Sequence, residues 1–220
     1  PFKTGLIYVY DCGEFEASLD GALHMADYKG FEARRAEAKT RGKLRGMGVT
    51  IAIERAGAPP GPETTQIRFD PTGTVSLVVG TVGQGQGHET MYKILLSPTL
   101  GIDSDDVMLI QGDTDKVAFG SGTFGSRSAV LAGSATVFAA ERIVEKGKKI
   151  AAHLMEAAEA DIVFAKGKFT VAGTDRSVDI REVAQKSFHA MHVPKDLEPG
   201  LSARSDYSGL ATFPNGTHIA

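Results

Sequence analysis

Gly83-Gln84-Gly85-Gln86-Gly87-His88-Glu89-Thr90 is the stretch on which the fold turns, because it separates two periodicities. Before it, Val75 to Val82 is apolar and β-branched, as a buried strand is. After it, Met91, Ile94 and Leu95 recur at helical spacing on one face. Glycines at alternate positions between a strand and a helix predict a tight turn with bare backbone N–H groups at the helix N-terminus, where anions are favoured. A second turn of this kind, Gly120-Ser121-Gly122-Thr123-Phe124-Gly125-Ser126-Arg127-Ser128, follows the apolar Val107 to Ile110 and the turn Gly112-Asp113-Thr114. Gln84, Gln86, His88 and Thr90 on one turn, with Thr123, Ser126, Arg127 and Ser128 on the other, read as donors converging on a large phosphorylated ligand. Neither turn is a commoner nucleotide motif. The first lacks the Gly-Lys-Ser/Thr ending of a P-loop and the third glycine at dinucleotide-fold spacing. The plainer alternative is that the glycines only make tight strand-to-helix turns.

Upstream, Thr64 to Asp70 and Thr74 to Val82 are alternating runs joined by Asp70-Pro71-Thr72-Gly73, a β-hairpin that delivers the chain into the first turn. Ala56-Gly57-Ala58-Pro59-Pro60-Gly61-Pro62 must be a loop, and Met47 to Glu54 is strand-like. Glu16 to Ala38 has helical spacing broken near Tyr28-Lys29-Gly30, with Arg34, Arg35, Glu37 and Lys39 on a solvated face. Leu6-Ile7-Tyr8-Val9-Tyr10 opens the chain as an alternating apolar run.

Downstream, a helix is expected over Glu89 to Leu100, limited by Pro98 and ended by Gly101, and then a buried strand at Val107 to Ile110. Ser128 to Ala158 reads as a long helix whose small residues Ala129, Ala132, Gly133, Ala135 and Ala139 permit close packing. Asp161 to Val171 should turn back on itself at Lys166-Gly167-Lys168, and Ile180 to Phe188 should be a short helix with Val183 and Ala184 inward. The tail, residues 189–220, is rich in Pro, Gly and Ser and ends in Thr217-His218-Ile219-Ala220, expected to be a strand cut before its partner. Hairpins mixed with helices predict an α+β fold rather than a doubly wound parallel sheet. The expected organisation is part of one domain: a lead-in over 1–55, a binding core over 63–160 carrying both turns, and a hairpin, short helix and tail over 161–220.

With 220 residues, 42% of them apolar, the chain can bury a substantial core. A net charge of −3 gives no general reason to expect nucleic acid or an anionic membrane as partner. No apolar run approaches the roughly 20 residues that span a bilayer, and Pro-Phe-Lys-Thr-Gly has no signal-peptide layout, so the cytoplasm is the expected location. Cys12, the single cysteine, makes no disulfide framework and is expected to be a small buried residue. The six histidines show neither His-Glu-x-x-His nor a Cys/His pair at zinc spacing, which argues against an ordinary metalloenzyme with protein-ligated metal.

On these residues the chain resembles the molybdenum-cofactor-binding large subunit of the xanthine dehydrogenase, aldehyde oxidoreductase and carbon monoxide dehydrogenase family. The matching pieces are the two glycine turns, Leu100-Gly101-Ile102, Gln111-Gly112-Asp113-Thr114 and Ala132-Gly133, in that family's order. Weaker matches are Tyr10-Asp11-Cys12-Gly13, Ala26-Asp27-Tyr28, Leu197-Glu198-Pro199-Gly200 and Phe213-Pro214-Asn215-Gly216.

The resemblance implies that the turns hold molybdopterin with molybdenum, in the cytosine dinucleotide form. Gln84, Gly85, Gln86, Gly87, His88 and Thr90 would line the pterin and metal side. Thr123, Phe124, Gly125, Ser126, Arg127 and Ser128 would contact the phosphates or pterin. It implies oxidation of carbon monoxide, an aldehyde or an N-heterocycle with water-derived oxygen, and FAD and [2Fe-2S] groups on partner subunits. The full enzyme would be a dimer of heterotrimers, and this segment would join the remainder of the large subunit. The family's glutamate base, in a Gly-Glu motif near the end of the large subunit, and its upstream active-site loop have no counterpart here, so the chain by itself is expected to be inactive. A non-catalytic nucleotide- or cofactor-binding module is the rival reading.

Overall fold

The computed structural model describes residues 2, 3, 5, 8–58 and 61–220. In chain order the elements are β1 (Phe2–Lys3), β2 (Val9–Tyr10), α1 (Phe15–Met25), α2 (Phe31–Thr40), β3 (Val49–Ile53), β4 (Glu63–Phe69), β5 (Val75–Val79) and α3 (His88–Leu100). There follow β6 (Val107–Ile110), α4 (Gly133–Leu154), β7 (Ile162–Ala165), β8 (Lys168–Val171), β9 (Ser177–Asp179), α5 (Ile180–Lys186), β10 (Ser202–Tyr207) and β11 (Asn215–Ile219). The fold is α+β. Leu6 and Ile7 of the expected opening run, and Pro59 and Pro60 of the expected loop, lie outside the described residues.

Two compact units result, one of residues 1–56 with 211–220 and the other of residues 57–210. In the first, β3 pairs antiparallel with β11, from Val49 opposite Ile219 to Ile53 opposite Asn215. The terminal strand therefore has its partner far back in the sequence, a pairing no local pattern announces. Two of the weakly matching motifs also meet here. Asp11 accepts hydrogen bonds from the Thr212 hydroxyl and, at 2.9 Å, from the Phe213 N–H, which hold its carboxyl below the usual aspartate value. Cys12 is exposed, contrary to the expectation of burial, and its thiol donates to the Phe213 carbonyl at 3.2 Å.

The second unit is built on a four-stranded sheet ordered β10-β4-β5-β6, in which β4 is antiparallel to both neighbours and β5 runs parallel to β6. The hairpin at Asp70–Gly73 forms as expected because Asp70 accepts from the Thr72 hydroxyl at 2.6 Å and from the N–H groups of Thr72 and Thr74. Every residue of β5 is buried, so its sequence is apolar throughout rather than alternating. Strand β6 is less enclosed than its sequence suggests; Val107 is buried but Met108 is 52% exposed.

Helix α4 packs on β4 and β10, and its Ala135, Ala139, Ile143 and Ile150 are all fully buried. Fully burying an isoleucine contributes about 1.5–3 kcal/mol. Gly147 continues this face, and a Cβ there would overlap the ring of Phe169 on β8. Helix α3 differs in phase from expectation. His88, Tyr92, Leu96 and Leu100 are buried, while Ile94 is 65% exposed. A row that begins with His and Tyr was invisible to a count of aliphatic residues. Strands β7, β8 and β9 form a three-stranded antiparallel sheet; its β9, and β10 of the four-stranded sheet, were not expected.

Candidate functional site

The first glycine turn joins β5 to α3. Gly85 and Gly87 have φ of +98° and +77°, a region that costs other L-residues about 1–2 kcal/mol. Gly87 is the N-cap of α3, and no side chain caps the helix, which leaves its first N–H groups for a ligand or solvent. The Gln84 N–H donates to Gln86 Oε1, so that side chain braces its own turn while its amide N–H donors remain for a ligand. His88 is 4% exposed and lies edge-on to Tyr92 at 5.8 Å. Its Nδ1 is 3.4 Å from Gln111 Oε1, and its Nε2 has no partner among the described residues. Behind it, the Tyr92 hydroxyl bonds Thr81 at 2.6 Å, and burial pushes its pKa up to about 12.

The second turn is braced from several sides. Thr123 Oγ1 accepts from the Val82 N–H at 2.8 Å and donates to the Val82 carbonyl at 2.7 Å, stapling this turn to the start of the first. The N–H groups of Gly57 and Ala58 both donate to the Gly125 carbonyl at 3.1 Å. Gly125 and Ser126 are successive left-handed residues, with φ of +58° and +51°. Gly80 and Gly120 touch backbone to backbone, and a Cβ on either would overlap the other. Beyond the turn, Ser128–Ala132 forms a π-helical turn before α4, a rare feature that is frequent at functional sites. The Ala132 carbonyl accepts from the hydroxyls of Thr65 and Thr136.

Arg127 is placed behind this turn, not on an open surface. Its Nη1 is 2.8 Å from Glu63 Oε2, with side-chain exposures of 1% and 0%. The contact is an ion pair by distance but off the hydrogen-bond direction, since neither atom has a hydrogen-bond partner among the described residues. Arg127 Nη2 donates to the carbonyls of Pro62 and Gly61 at 3.3 and 3.4 Å, and its Cζ stands 5.1 Å from the Phe124 ring centre. Burial pushes the Glu63 carboxyl above its usual value, opposed by Arg127 and by the N–H groups of Ser121 and Thr64.

Between the turns is a concavity of about 410 Å³ lined by Gln84, Gln86, His88, Met91, Thr123, Phe124, Ser126, Ser128 and Ala129. Of the expected site residues, Gly85, Gly87, Thr90, Gly125 and Arg127 are not on its wall. Met91 and Ala129 are wall residues that the sequence reading missed; each sits just past an expected position. Ser128 Oγ, like His88 Nε2, is buried without a partner among the described residues. Leaving such a group unpaired costs about 1–3 kcal/mol, so two of them on residues of one wall fit a site that a polar ligand completes. A larger concavity of about 940 Å³, lined by Arg142, Lys146 and Lys149 of α4 among others, shares no residue with the glycine turns.

Comparison with known proteins decides the family. The sequence pattern of the molybdopterin cofactor-binding domain matches residues 21–220. The chain belongs to that family. It is similar to the carbon monoxide dehydrogenase large chain of Afipia carboxidovorans, with 35% identity over 237 residues that take in 100% of this chain and 29% of that protein. The nicotine 6-hydroxylase large subunit of Paenarthrobacter nicotinovorans is 34% identical over 96% of this chain and 28% of that one. Among solved structures, a Cu,Mo-CO dehydrogenase in its carbon monoxide reduced state superposes with a TM-score of 0.82 and 36% identity, covering 96% of this chain and 28% of that one. The chain thus spans under a third of the relatives it matches. Among the described residues no helix is long and apolar enough to cross a membrane.

Proposed function

We propose that the cavity between the two glycine turns holds the pterin and pyrophosphate of a molybdopterin dinucleotide, in a segment of the large subunit of a molybdenum hydroxylase. One observation carries the reading: a single wall drawn from both turns includes His88 and Ser128, whose Nε2 and Oγ are buried without partners among the described residues. The donor set fits the group. The uncapped start of α3 offers N–H groups to an anion, the amide of Gln86 can donate to a pterin edge, and the exposed ring of Phe124 offers a flat apolar surface. The bound molybdenum group would supply the two-electron oxidation and the route by which oxygen from water reaches the substrate. This chain's residues bind and orient that group and shield one side of it from water.

The activities on carbon monoxide and on nicotine belong to the relatives named for them. What they share in name is the large chain or subunit, which supports assembly of this segment with the rest of a large subunit and with smaller subunits; the family resemblance implies that those carry flavin and [2Fe-2S] groups, in a cytoplasmic dimer of heterotrimers. The cytosine form is tested by acid hydrolysis of the purified full-length enzyme, which should release cytidine monophosphate in the same molar amount as molybdenum. Release of a different nucleotide would correct the form. His88→Ala and Ser128→Ala variants of the full-length protein that keep full pterin and molybdenum content would remove this cavity as the site.

A further inference from the structure

Glu63 stands 58 residues before Ser121, at the first position of β4, and nothing in the motif of the second turn points to it. Its two carboxylate oxygens go to opposite ends of that turn. Oε1 accepts from the Ser121 N–H at 3.2 Å, and Oε2 lies 2.8 Å from Arg127 Nη1. Burial of this pair is complete at both side chains. A buried ion pair is weak evidence of stabilisation, since apolar residues of similar volume often replace one without loss; its better-attested use is to fix a register. A register is what needs fixing here. Gly125 and Ser126 hold consecutive left-handed conformations, and such a segment persists only where its surroundings over-determine it.

We propose that Glu63 is a positioning residue: its carboxylate clasps residues 121–127 at both ends and thereby sets the wall formed by Thr123, Phe124, Ser126 and Ser128 against the bound cofactor. The inference rests on the proposed reading of the cavity and deepens it. Arg127 acts with Glu63 from behind the turn, joining it to the Gly61 and Pro62 carbonyls and to the Phe124 ring, rather than by meeting phosphate itself. The carboxylate also fits against Gly80, where a Cβ would overlap Glu63 Oε1, so the end of β5, the second turn and Glu63 form one packed contact.

The test uses the full-length subunit in two forms, the assembled holoenzyme and the same protein from a host unable to make the pterin. Glu63→Gln keeps the size but removes the charge, Glu63→Asp keeps the charge but shortens the reach, and the pair Glu63→Leu/Arg127→Met replaces both charges by apolar volume. In the cofactor-free protein, amide hydrogen exchange over residues 121–127 should quicken roughly tenfold in Glu63→Gln and in the neutral pair, with the cores of β5 and α4 unchanged. Molybdenum and pterin content of the holoenzyme should fall in the same variants, and Glu63→Asp should restore part of both signals. Wild-type exchange over 121–127 in Glu63→Gln and the neutral pair would overturn the proposal, as would acceleration spread evenly through β4, β5 and α4. Faster exchange confined to the turn, together with full cofactor content, would uphold the clasp and overturn the reading of this turn as a cofactor wall.

Discussion

The two glycine turns look alike in sequence and are held in different ways. The first, Gly83 to Gly87, is exposed at every residue and keeps its shape through glycine φ angles and one local bond, from the Gln84 N–H to Gln86. The second is tied at Ser121, Thr123, Gly125 and Arg127 to groups far away in the chain, one of them the buried carboxylate of Glu63. A turn shaped by its own glycines can be recognised from its own residues; one shaped by distant partners can also fail when those partners change. The contrast predicts that substitutions at the tied positions of the second turn act on folding as well as on binding, and that side-chain substitutions in the first act chiefly on binding.

The largest effect should come from Arg127→Ala. Removing one partner of a buried ion pair leaves the other charge uncompensated and costs about 3–5 kcal/mol, so the variant should show a matching loss in denaturant unfolding as well as in cofactor content. Were Arg127→Ala to lose molybdenum while unfolding like the wild type, the guanidinium would be acting on the ligand and the contrast between the turns would collapse. Alanine at matching places in the two turns sharpens it further. Gly120→Ala sets a Cβ against the Gly80 backbone and should destabilise by about 1–3 kcal/mol or more, as overpacking does. Gly85→Ala meets open space and should cost only the left-handed backbone term, about 1–2 kcal/mol. Equal midpoint shifts for the two would refute the distinction.

What the sequence disclosed follows the same division. The Asp70–Gly73 hairpin, the start of α3 at the first turn and the inward Val183 and Ala184 of α5 depend on neighbours within a few residues, and all were legible. The partner of β11, the third strand β9 and the edge strand β10 depend on pairing across the fold, and they were not. At the site, Gln84, Gln86, His88, Thr123, Phe124, Ser126 and Ser128 were named from the two motifs and share one wall. Glu63 escaped notice because a lone acidic residue opening a strand reads as exposed until its arginine arrives from behind a turn much later in the chain.

Gln86→Glu isolates binding from folding. Glutamate keeps the oxygen that accepts the Gln84 N–H, so the unfolding free energy should change by no more than about 0.5 kcal/mol, as for an exposed substitution. It also deletes the amide donors and adds a negative charge beside an anionic ligand. Molybdenum and pterin content should therefore drop with the fold intact, while Gln84→Glu, whose side chain makes no such brace, should be milder. Unchanged cofactor content in Gln86→Glu would show that its side chain does not serve the ligand.

The smallest effect sets the two ends of β4 against each other. Glu63 has its folded-state pKa raised, chiefly by burial, so the stability linked to its titration is fully present below its ordinary value of 4.5 and is lost as pH rises through the raised value. Asp70 has its pKa lowered, first by the Thr72 hydroxyl and then by the N–H groups of the turn, with burial opposing. Its contribution is present above the ordinary value of 3.8 and is lost as pH falls through the lowered one. Asp70→Asn keeps an acceptor for the turn but cannot titrate. It should therefore leave stability nearly independent of this group, and urea midpoints should fall less steeply than in the wild type as pH drops below 3.8. An equally steep acid decline in Asp70→Asn would mean that the Asp70 turn, which leads the chain towards the first glycine turn, does not depend on a charged carboxylate.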